Sequence, residues 1–72
     1  MTLTTANTEK EYIIAQVSTQ EPELDNFLFS LGCYSGQPIT IISRRKQTLT
    51  VAIKDSRYSI DARLGQAITV VA

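Results

Sequence analysis

The chain has 72 residues, and its seven acidic side chains balance its seven basic ones, with one cysteine and no histidine. A chain this short forms at most one domain and buries only roughly 60% of its unfolded surface, so a deep catalytic cavity is not expected. One cysteine cannot form an internal disulfide, and the lack of histidine removes the commonest general base and zinc ligand. These features favour a binding module over an enzyme and predict no cofactor and no metal site.

The first residues are polar and rich in threonine, without a hydrophobic period. They predict a flexible N-terminal arm over residues 1–9, followed by a single domain over residues 10–72. The arm has neither the basic nor the apolar region of a signal peptide. No apolar run approaches the ~20 residues that cross a bilayer. We therefore expect a cytoplasmic protein.

The first part of the domain reads as a strand followed by a helix. Residues 12–17 are β-branched and aromatic, which predicts a strand. A proline at position 22 and acids around it mark a helix start, for which Ser18 and Thr19 are possible caps. Apolar residues at i, i+3, i+4 and i+7 predict an amphipathic helix over 22–31, with a buried stripe of Leu24, Phe27, Leu28 and Leu31. Phe29 lies off this stripe, so it either packs under the arm or first strand or is exposed.

The segment Leu31–Pro38 joins this helix to the strands that follow. Gly32 stands where helices commonly close with a left-handed residue, and the final proline fixes the backbone before the next strand. The second of the two glycines is not followed by the Lys-Ser/Thr pair that marks a phosphate-binding loop. Tyr34 lies between the two glycines, close to Phe29. Aromatic side chains on a rigid loop predict either a partner surface or plain packing.

The second half of the chain reads as strands. Three runs at 39–43, 48–54 and 57–60 predict a meander, and residues 61–66 predict a helical turn capped by Asp61. A last strand at 67–71 is expected to pair with the first. Five short strands, one inserted helix and one helical turn predict a mostly-β fold, a small and partly open barrel. Arg44, Arg45 and Lys46 predict either a solvated hairpin turn or a contact with an acidic partner.

The order and spacing of these features resemble the FeoA family, small bacterial proteins that accompany the FeoB ferrous iron transporter. The resemblance rests on a helix ending in Leu31–Gly32, on Gly36 before Ile39–Ile41, and on Tyr58–Asp61 before Ile68–Val70. It covers about residues 10–71 and implies an SH3-like barrel with a helix inserted after its first strand. Two departures are a glycine at position 65, where alanine is common in the family, and a short link at 43–47, where many members have a longer loop.

The resemblance implies a non-enzymatic accessory protein of ferrous iron uptake, docked on the cytosolic domain of FeoB at the inner face of the membrane. The expected partner-binding residues are Phe29, Tyr34, Ser35 and Gln37, with Arg44, Arg45 and Lys46 as a secondary charged contact. Two alternatives stay open. The same barrel is similar to the C-terminal domain of metal-dependent repressors, which implies a regulatory role. A small barrel can also bind nucleic acid, here through the three basic residues and Tyr58, although the neutral charge balance argues against it.

Overall fold

The computed structural model describes all residues from 1 to 72 and contains five strands and two helices. In chain order they are β1 (Glu11–Val17), α1 (Pro22–Ser30), β2 (Pro38–Arg45), β3 (Thr48–Ile53), β4 (Ser56–Asp61), α2 (Ala62–Gln66) and β5 (Ile68–Val71). The mostly-β fold, the inserted helix and the short helical turn are therefore confirmed. Asp61 caps α2 as predicted, because its carboxylate accepts a hydrogen bond from the Arg63 N–H at 2.8 Å.

The strands form one antiparallel sheet in the order β4-β3-β2-β1-β5. Pairing of the first strand with the last is confirmed, with Val17 opposite Ile68 and Ile13 opposite Val71. The register shifts by one residue between Ile14 and Gln16, and a second shift falls between positions 41 and 43 of β2. Such bulges bend a strand and increase its twist, which helps a five-stranded sheet curl around its own core.

The inner face of this sheet carries the core. Strand β3 shows the alternation that its sequence predicts, since Leu49, Val51 and Ile53 are buried and the residues between them are not. The buried core side chains are hydrophobic, and the one hydroxyl among them, that of Tyr12, accepts a hydrogen bond from the Asn7 N–H at 3.0 Å. No buried polar side-chain atom lacks a hydrogen-bond partner. The single cysteine, Cys33, is 2% exposed and belongs to this core, as its small apolar character suggests.

Helix α1 is less deeply packed than its sequence predicts. Of the expected stripe only Leu28 is fully buried, while Leu31 packs against the core from the end of the helix. Phe27 is 49% exposed, which corrects its predicted place in the core. The helix contacts the core mainly through its last turn, where Leu28 is buried. Phe27, the residue before it, lies outside this contact and stays in solvent. Glu21 occupies the N-cap position without a side-chain cap, so neither Ser18 nor Thr19 is the N-cap.

The first nine residues differ most from the prediction of a flexible arm. Leu3 and Ala6 are almost completely buried in the core. The Leu3 N–H donates to the Ile68 carbonyl at 3.2 Å, and the Val70 N–H donates to the Met1 carbonyl at 2.9 Å. The arm thus adds to the outer edge of β5. Its two inward-facing apolar residues are too few to give a hydrophobic period, which is why the sequence pattern missed this packing.

Candidate functional site

Two aromatic side chains meet at the surface where α1 ends. The rings of Phe29 and Tyr34 lie 4.8 Å apart between centroids, tilted by 32°. This distance is typical of a favourable aromatic pair. Phe29 is nevertheless 62% exposed, the largest exposure of any large apolar residue in the chain. We call Phe29 and Tyr34 the aromatic ridge.

The ridge stands between two shallow grooves, and both of its residues line each of them. The first groove, about 370 Å³, lies toward β1 and includes Val17, Asp25 and Cys33. The second, about 230 Å³, lies toward the β3–β4 turn and is lined by Phe29, Ser30, Leu31, Gly32, Tyr34, Ile53, Lys54, Ser56 and Tyr58. An exposed aromatic ridge with a groove on either side is a shape that can receive an extended segment of another protein.

The backbone of the loop before β2 holds the ridge in place. Gly32 and Gly36 both have φ of 93°, in the left-handed region that side chains other than glycine rarely adopt. Gly32 ends α1 as predicted, and the Cys33 N–H donates to the Leu28 carbonyl at 3.0 Å. Tyr34 is therefore presented by a loop whose conformation is fixed on both sides.

Ser35 and Gln37 are tied to β1 rather than offered freely to a partner. The Ser35 hydroxyl donates to the Ala15 carbonyl at 3.0 Å. The Gln37 carbonyl accepts from the Ile14 N–H at 2.9 Å, while its own N–H donates to the Tyr34 carbonyl at 3.1 Å. These backbone contacts fix the loop against β1. The Gln37 side chain makes no hydrogen bond within the chain, and it remains the part of this residue that a partner can reach.

Lys54 belongs to the site although sequence reasoning did not select it. Its ammonium donates to the Tyr34 hydroxyl at 3.2 Å and lies 5.5 Å from the centre of the Tyr34 ring. Lys54 sits in the β3–β4 turn with φ of 56°. No local pattern connects position 54 to position 34, because only the fold brings the turn beside the loop. The second groove therefore carries a positive charge at its wall.

Asp25 places a negative charge in the first groove. Its carboxylate accepts from the Thr19 N–H at 2.8 Å and from the Thr19 hydroxyl at 2.7 Å. These hydrogen bonds, the backbone one first, hold the pKa of Asp25 below its usual value. Cys33, at the floor of the same groove, behaves differently. Burial raises the pKa of its thiol to about 11, so it is a packing residue and not a ready nucleophile.

The basic residues of the β2–β3 hairpin lie apart from the aromatic ridge. Arg45 pairs with Thr48 at one end of the β2–β3 ladder, whereas Lys54 follows the opposite end of β3. Five steps along an extended strand separate these ends by roughly 17 Å. Arg44 is also occupied, since its guanidinium donates to the Leu3 and Ala6 carbonyls at 3.0 and 2.6 Å. Only Arg45 and Lys46 remain as free hairpin cations.

A third groove, about 540 Å³, lies elsewhere, between the start of α1 and helix α2. Leu24, Leu64 and Ala67 supply its apolar part, and polar side chains form the rest. No three His, Cys, Asp or Glu side chains come together anywhere in the chain in a way that could hold a metal ion. Neither helix has the length and apolar character that crossing a bilayer demands.

A five-stranded antiparallel barrel with a helix inserted after its first strand, and an exposed aromatic ridge beside that helix, defines a small SH3-like domain. The chain belongs to the FeoA family, because the family model of the FeoA domain matches residues 1–72. The resemblance drawn from the sequence is thereby confirmed. A comparison with curated protein sequences finds no significant match.

Solved structures share this fold. An iron uptake regulatory protein, FeoA, is similar with a TM-score of 0.88 and 15% identity, over 99% of this chain and 95% of that one. A FeoA of Stenotrophomonas maltophilia complexed with zinc, described as a prokaryotic SH3 domain protein and a candidate activating factor of bacterial ferrous iron transport, has a TM-score of 0.86 and 16% identity, over 97% and 88% of the two chains.

A manganese-dependent transcriptional repressor is similar over the whole of this chain, with a TM-score of 0.91 and 22% identity. The chain spans 41% of that repressor's length. At these identities the structures establish a common fold and nothing finer. They agree with the expected relation between this barrel and a domain of metal-dependent repressors.

Proposed function

We propose that the chain is a non-enzymatic accessory module of ferrous iron uptake that docks on the cytosolic domain of a FeoB-type transporter. The support is its membership of the FeoA family together with the exposed aromatic ridge. The proposal places the protein in the cytoplasm, at the inner face of the membrane through its partner. Phe29 and Tyr34 are the contact residues at the centre of the proposed surface.

The exposure of the ridge is the observation that carries this proposal. A chain of 72 residues has little apolar surface to spare, yet Phe29 leaves 62% of its surface in solvent. Burial of aromatic side chains supplies much of the affinity at protein interfaces, most of all where they sit at the centre of the contact. Tyr34 adds a rigid ring with a polar tip, a combination that is enriched at interfaces.

The surrounding polar groups extend the proposed surface. Ser35 and Gln37 border the ridge, with the Ser35 side chain engaged by β1 and the Gln37 side chain free. Arg45 and Lys46 form a secondary charged contact at the far end of the β2–β3 ladder, where they steer association more than they add affinity. Arg44 takes part only indirectly, because its guanidinium holds the N-terminal arm.

Binding to the isolated, purified cytosolic domain of the cognate FeoB tests the proposal, with the affinity measured by biolayer interferometry. Phe29→Ala and Tyr34→Ala should each weaken binding by a factor of ten or more, roughly the loss expected when an interface anchor is truncated. Phe27→Ala is the matched control, because Phe27 is also exposed, at 49%, and lies on the same helix outside the ridge. It should leave the affinity within about twofold.

The outcomes separate the docking partner from the docking surface. Wild-type chain that shows no affinity for the FeoB domain contradicts the proposed function. Binding that survives both ridge substitutions contradicts the ridge as the contact while leaving the partner in place. Thermal unfolding of each variant checks that a loss of binding does not come from a loss of fold.

The repressor-like alternative rests on the similarity of this barrel to part of a manganese-dependent repressor. Under that alternative, the barrel regulates a DNA-binding domain instead of a transporter. The position of the gene decides between the two, since a neighbouring transporter gene favours the accessory module. The nucleic-acid alternative is weaker in the folded chain, because Arg44 already donates to two carbonyl oxygens.

A further inference from the structure

Strand β4 leaves one edge of the sheet without a partner. It hydrogen-bonds only to β3, whereas the outer edge of β5 is covered by the N-terminal arm through Met1 and Leu3. The β3–β4 ladder runs over six residue pairs without a bulge. A regular, exposed edge presents free N–H and C=O groups to any strand that can align with it. Among the edges of this sheet, only β4 is open to such pairing.

The hydrogen-bond pattern of the β3–β4 ladder determines which residues of β4 direct their backbone N–H and C=O groups away from β3. The Ala62 N–H donates to the Gln47 carbonyl at 2.8 Å, which makes these residues a hydrogen-bonded pair. Such pairs alternate along an antiparallel ladder, so positions 58 and 60 direct their backbone groups toward β3. Arg57, Ser59 and Asp61 direct theirs away from β3, and the outward groups of Arg57 and Ser59 have no partner in the chain.

We propose that β4 pairs in antiparallel fashion with β4 of a second copy of this chain, about a two-fold axis at Ser59. In that register Ser59 lies opposite its own copy, and Arg57 lies opposite Asp61 of the second copy. Each residue whose backbone groups face away from β3 then lies opposite a residue of the second copy whose backbone groups also face away from β3. Hydrogen-bonded pairs in an antiparallel ladder require this arrangement. The five-stranded sheets of the two copies become one continuous sheet.

Charge complementarity selects a second copy as the occupant. Arg57, Ser59 and Asp61 share the exposed face of β4. The symmetric register places the Arg57 guanidinium of each copy opposite the Asp61 carboxylate of the other, and opposite charges across a strand pair are favourable. The Asp61 atom that accepts from the Arg63 N–H is Oδ1, which leaves Oδ2 for the second copy. A two-fold interface needs such a self-complementary patch, and β4 has one.

The expected contact is small. It contains two reciprocal Ser59 hydrogen bonds and one Asp61 N–H to Arg57 carbonyl bond at each end. The Asp61 carbonyl adds none, because an N-cap residue already accepts the first hydrogen bond of its helix, here α2. An interface of this size gives a concentration-dependent dimer that exchanges with monomer. Its contact residues, Arg57, Ser59 and Asp61, include neither residue of the aromatic ridge, and the pairing requires no transporter.

Sedimentation velocity of the full chain, from micromolar to millimolar concentration, tests the proposal. Wild-type chain should shift from monomer to dimer within that range. Ser59→Pro should remove the dimer and keep the fold, because it deletes an N–H that faces solvent in the monomer, and proline is tolerated at such edge positions. Thermal unfolding reports whether the variant remains folded.

A charge variant provides a second and milder test. Arg57→Asp places two carboxylates opposite one another and should weaken dimerisation at least tenfold, whereas Lys10→Asp, which replaces an exposed cation just before β1 and three strands from β4, should leave it unchanged. A wild-type chain that stays monomeric at every concentration overturns the proposal. So does an unchanged dimer in both β4 variants. Protection of β4 amides only on addition of the FeoB domain would assign the edge to a partner strand and would equally overturn self-pairing.

Discussion

The guanidinium of Arg44 donates a hydrogen bond to the carbonyl oxygen of Ala6 at 2.6 Å, across 38 residues of chain. The same nitrogen donates to the Leu3 carbonyl at 3.0 Å, so one cation on β2 holds two points of the N-terminal arm. Hydrogen bonds from a charged donor are stronger than neutral ones. The arm is thus fixed both by burial of its two apolar side chains and by this cation.

Arg44→Ala should destabilise the fold by about 1.5–3 kcal/mol, the usual range for loss of a hydrogen bond to a charged group. Arg45→Ala is the matched control, since Arg45 is the adjacent exposed arginine and its side chain makes no hydrogen bond within the chain. Its effect should stay within about 0.5 kcal/mol. Urea unfolding measures both free energies, and hydrogen exchange should show loss of protection at Leu3 and Val70 in Arg44→Ala alone. Equal effects of the two substitutions would contradict the anchoring role of Arg44.

The two left-handed glycines should respond differently to alanine. A methyl group on Gly32 would lie 3.2 Å from the Cγ2 atom of Ile53, while one on Gly36 meets nothing within 4 Å. Gly36→Ala should therefore cost only the backbone strain of the left-handed region, about 1–2 kcal/mol. Gly32→Ala should cost more, because crowding against a buried isoleucine is added to the same strain.

Urea unfolding of the two variants gives this ranking directly. Gly36→Asn is the internal control, because asparagine tolerates the left-handed region better than alanine does and should lose less stability. Equal losses for Gly32→Ala and Gly36→Ala would show that backbone strain, and not contact with the core, dominates at this loop, and a larger loss for Gly36→Ala would contradict the ranking.

The stability of the fold at acidic pH should depend on Asp25. The hydrogen bonds from Thr19 lower the pKa of Asp25 in the folded chain, so the folded state favours the ionised carboxylate. The resulting stability is fully present above the unfolded pKa of about 3.9 and is lost as the pH falls through the lower folded value. The pKa of Asp61 is lowered in the same direction, chiefly by the Arg63 N–H, and should contribute over the same range.

Urea unfolding between neutral pH and pH 2 measures this dependence. In Asp25→Asn the loss of stability below about pH 4 should be shallower than in the wild type, because one of the two linked carboxylates is gone. Glu23→Gln is the control, since Glu23 lies on the same helical turn and makes no side-chain hydrogen bond. Parallel curves for wild type and Asp25→Asn would mean that the Thr19 contacts do not favour the charged form in solution.

The sequence predicted the parts of this fold that depend on local patterns. Alternation identified β3, the cap at Asp61 identified α2, and the glycine after α1 identified the end of the helix. What it missed depends on contacts between distant segments. The burial of Leu3 requires the edge of β5, and the exposure of Phe27 follows from how little of α1 touches the core.

The residues of the candidate site also fall into two groups, those that local sequence patterns predicted and those that only the fold brings together. Phe29 and Tyr34 were selected from the sequence because one lay off the helical stripe and the other lay in a loop tip, and the structure brings their rings together. Lys54 was not selected, because only the β3–β4 turn carries it to Tyr34. Arg44 was grouped with Arg45 and Lys46 by adjacency alone, and the arm that occupies it could not be read from local sequence.

The packing of Gly65 against Leu49 gives the last prediction. A methyl group on Gly65 would lie 2.6 Å from the Cδ1 atom of Leu49, a distance at which one of the two must move. Leu49 is 1% exposed and has no solvent into which it can rotate. Gly65→Ala should therefore destabilise the fold by up to about 2 kcal/mol, because overpacking of about 1–3 kcal/mol outweighs the gain of about 1 kcal/mol in helix propensity.

Leu49→Val removes the atom that the new methyl group would meet. In that background Gly65→Ala should become neutral or stabilising by up to about 1 kcal/mol, since the gain in helix propensity remains and the clash is gone. A double-mutant cycle from urea unfolding measures the coupling between the two positions. Equal effects of Gly65→Ala in both backgrounds would show that the clash is relieved elsewhere, by a shift of α2 as a whole. If Gly65→Ala destabilises the wild type but stabilises the Leu49→Val background, Leu49 fills the space that an alanine at position 65 requires. The glycine at position 65 and the leucine at position 49 would then depend on each other for packing.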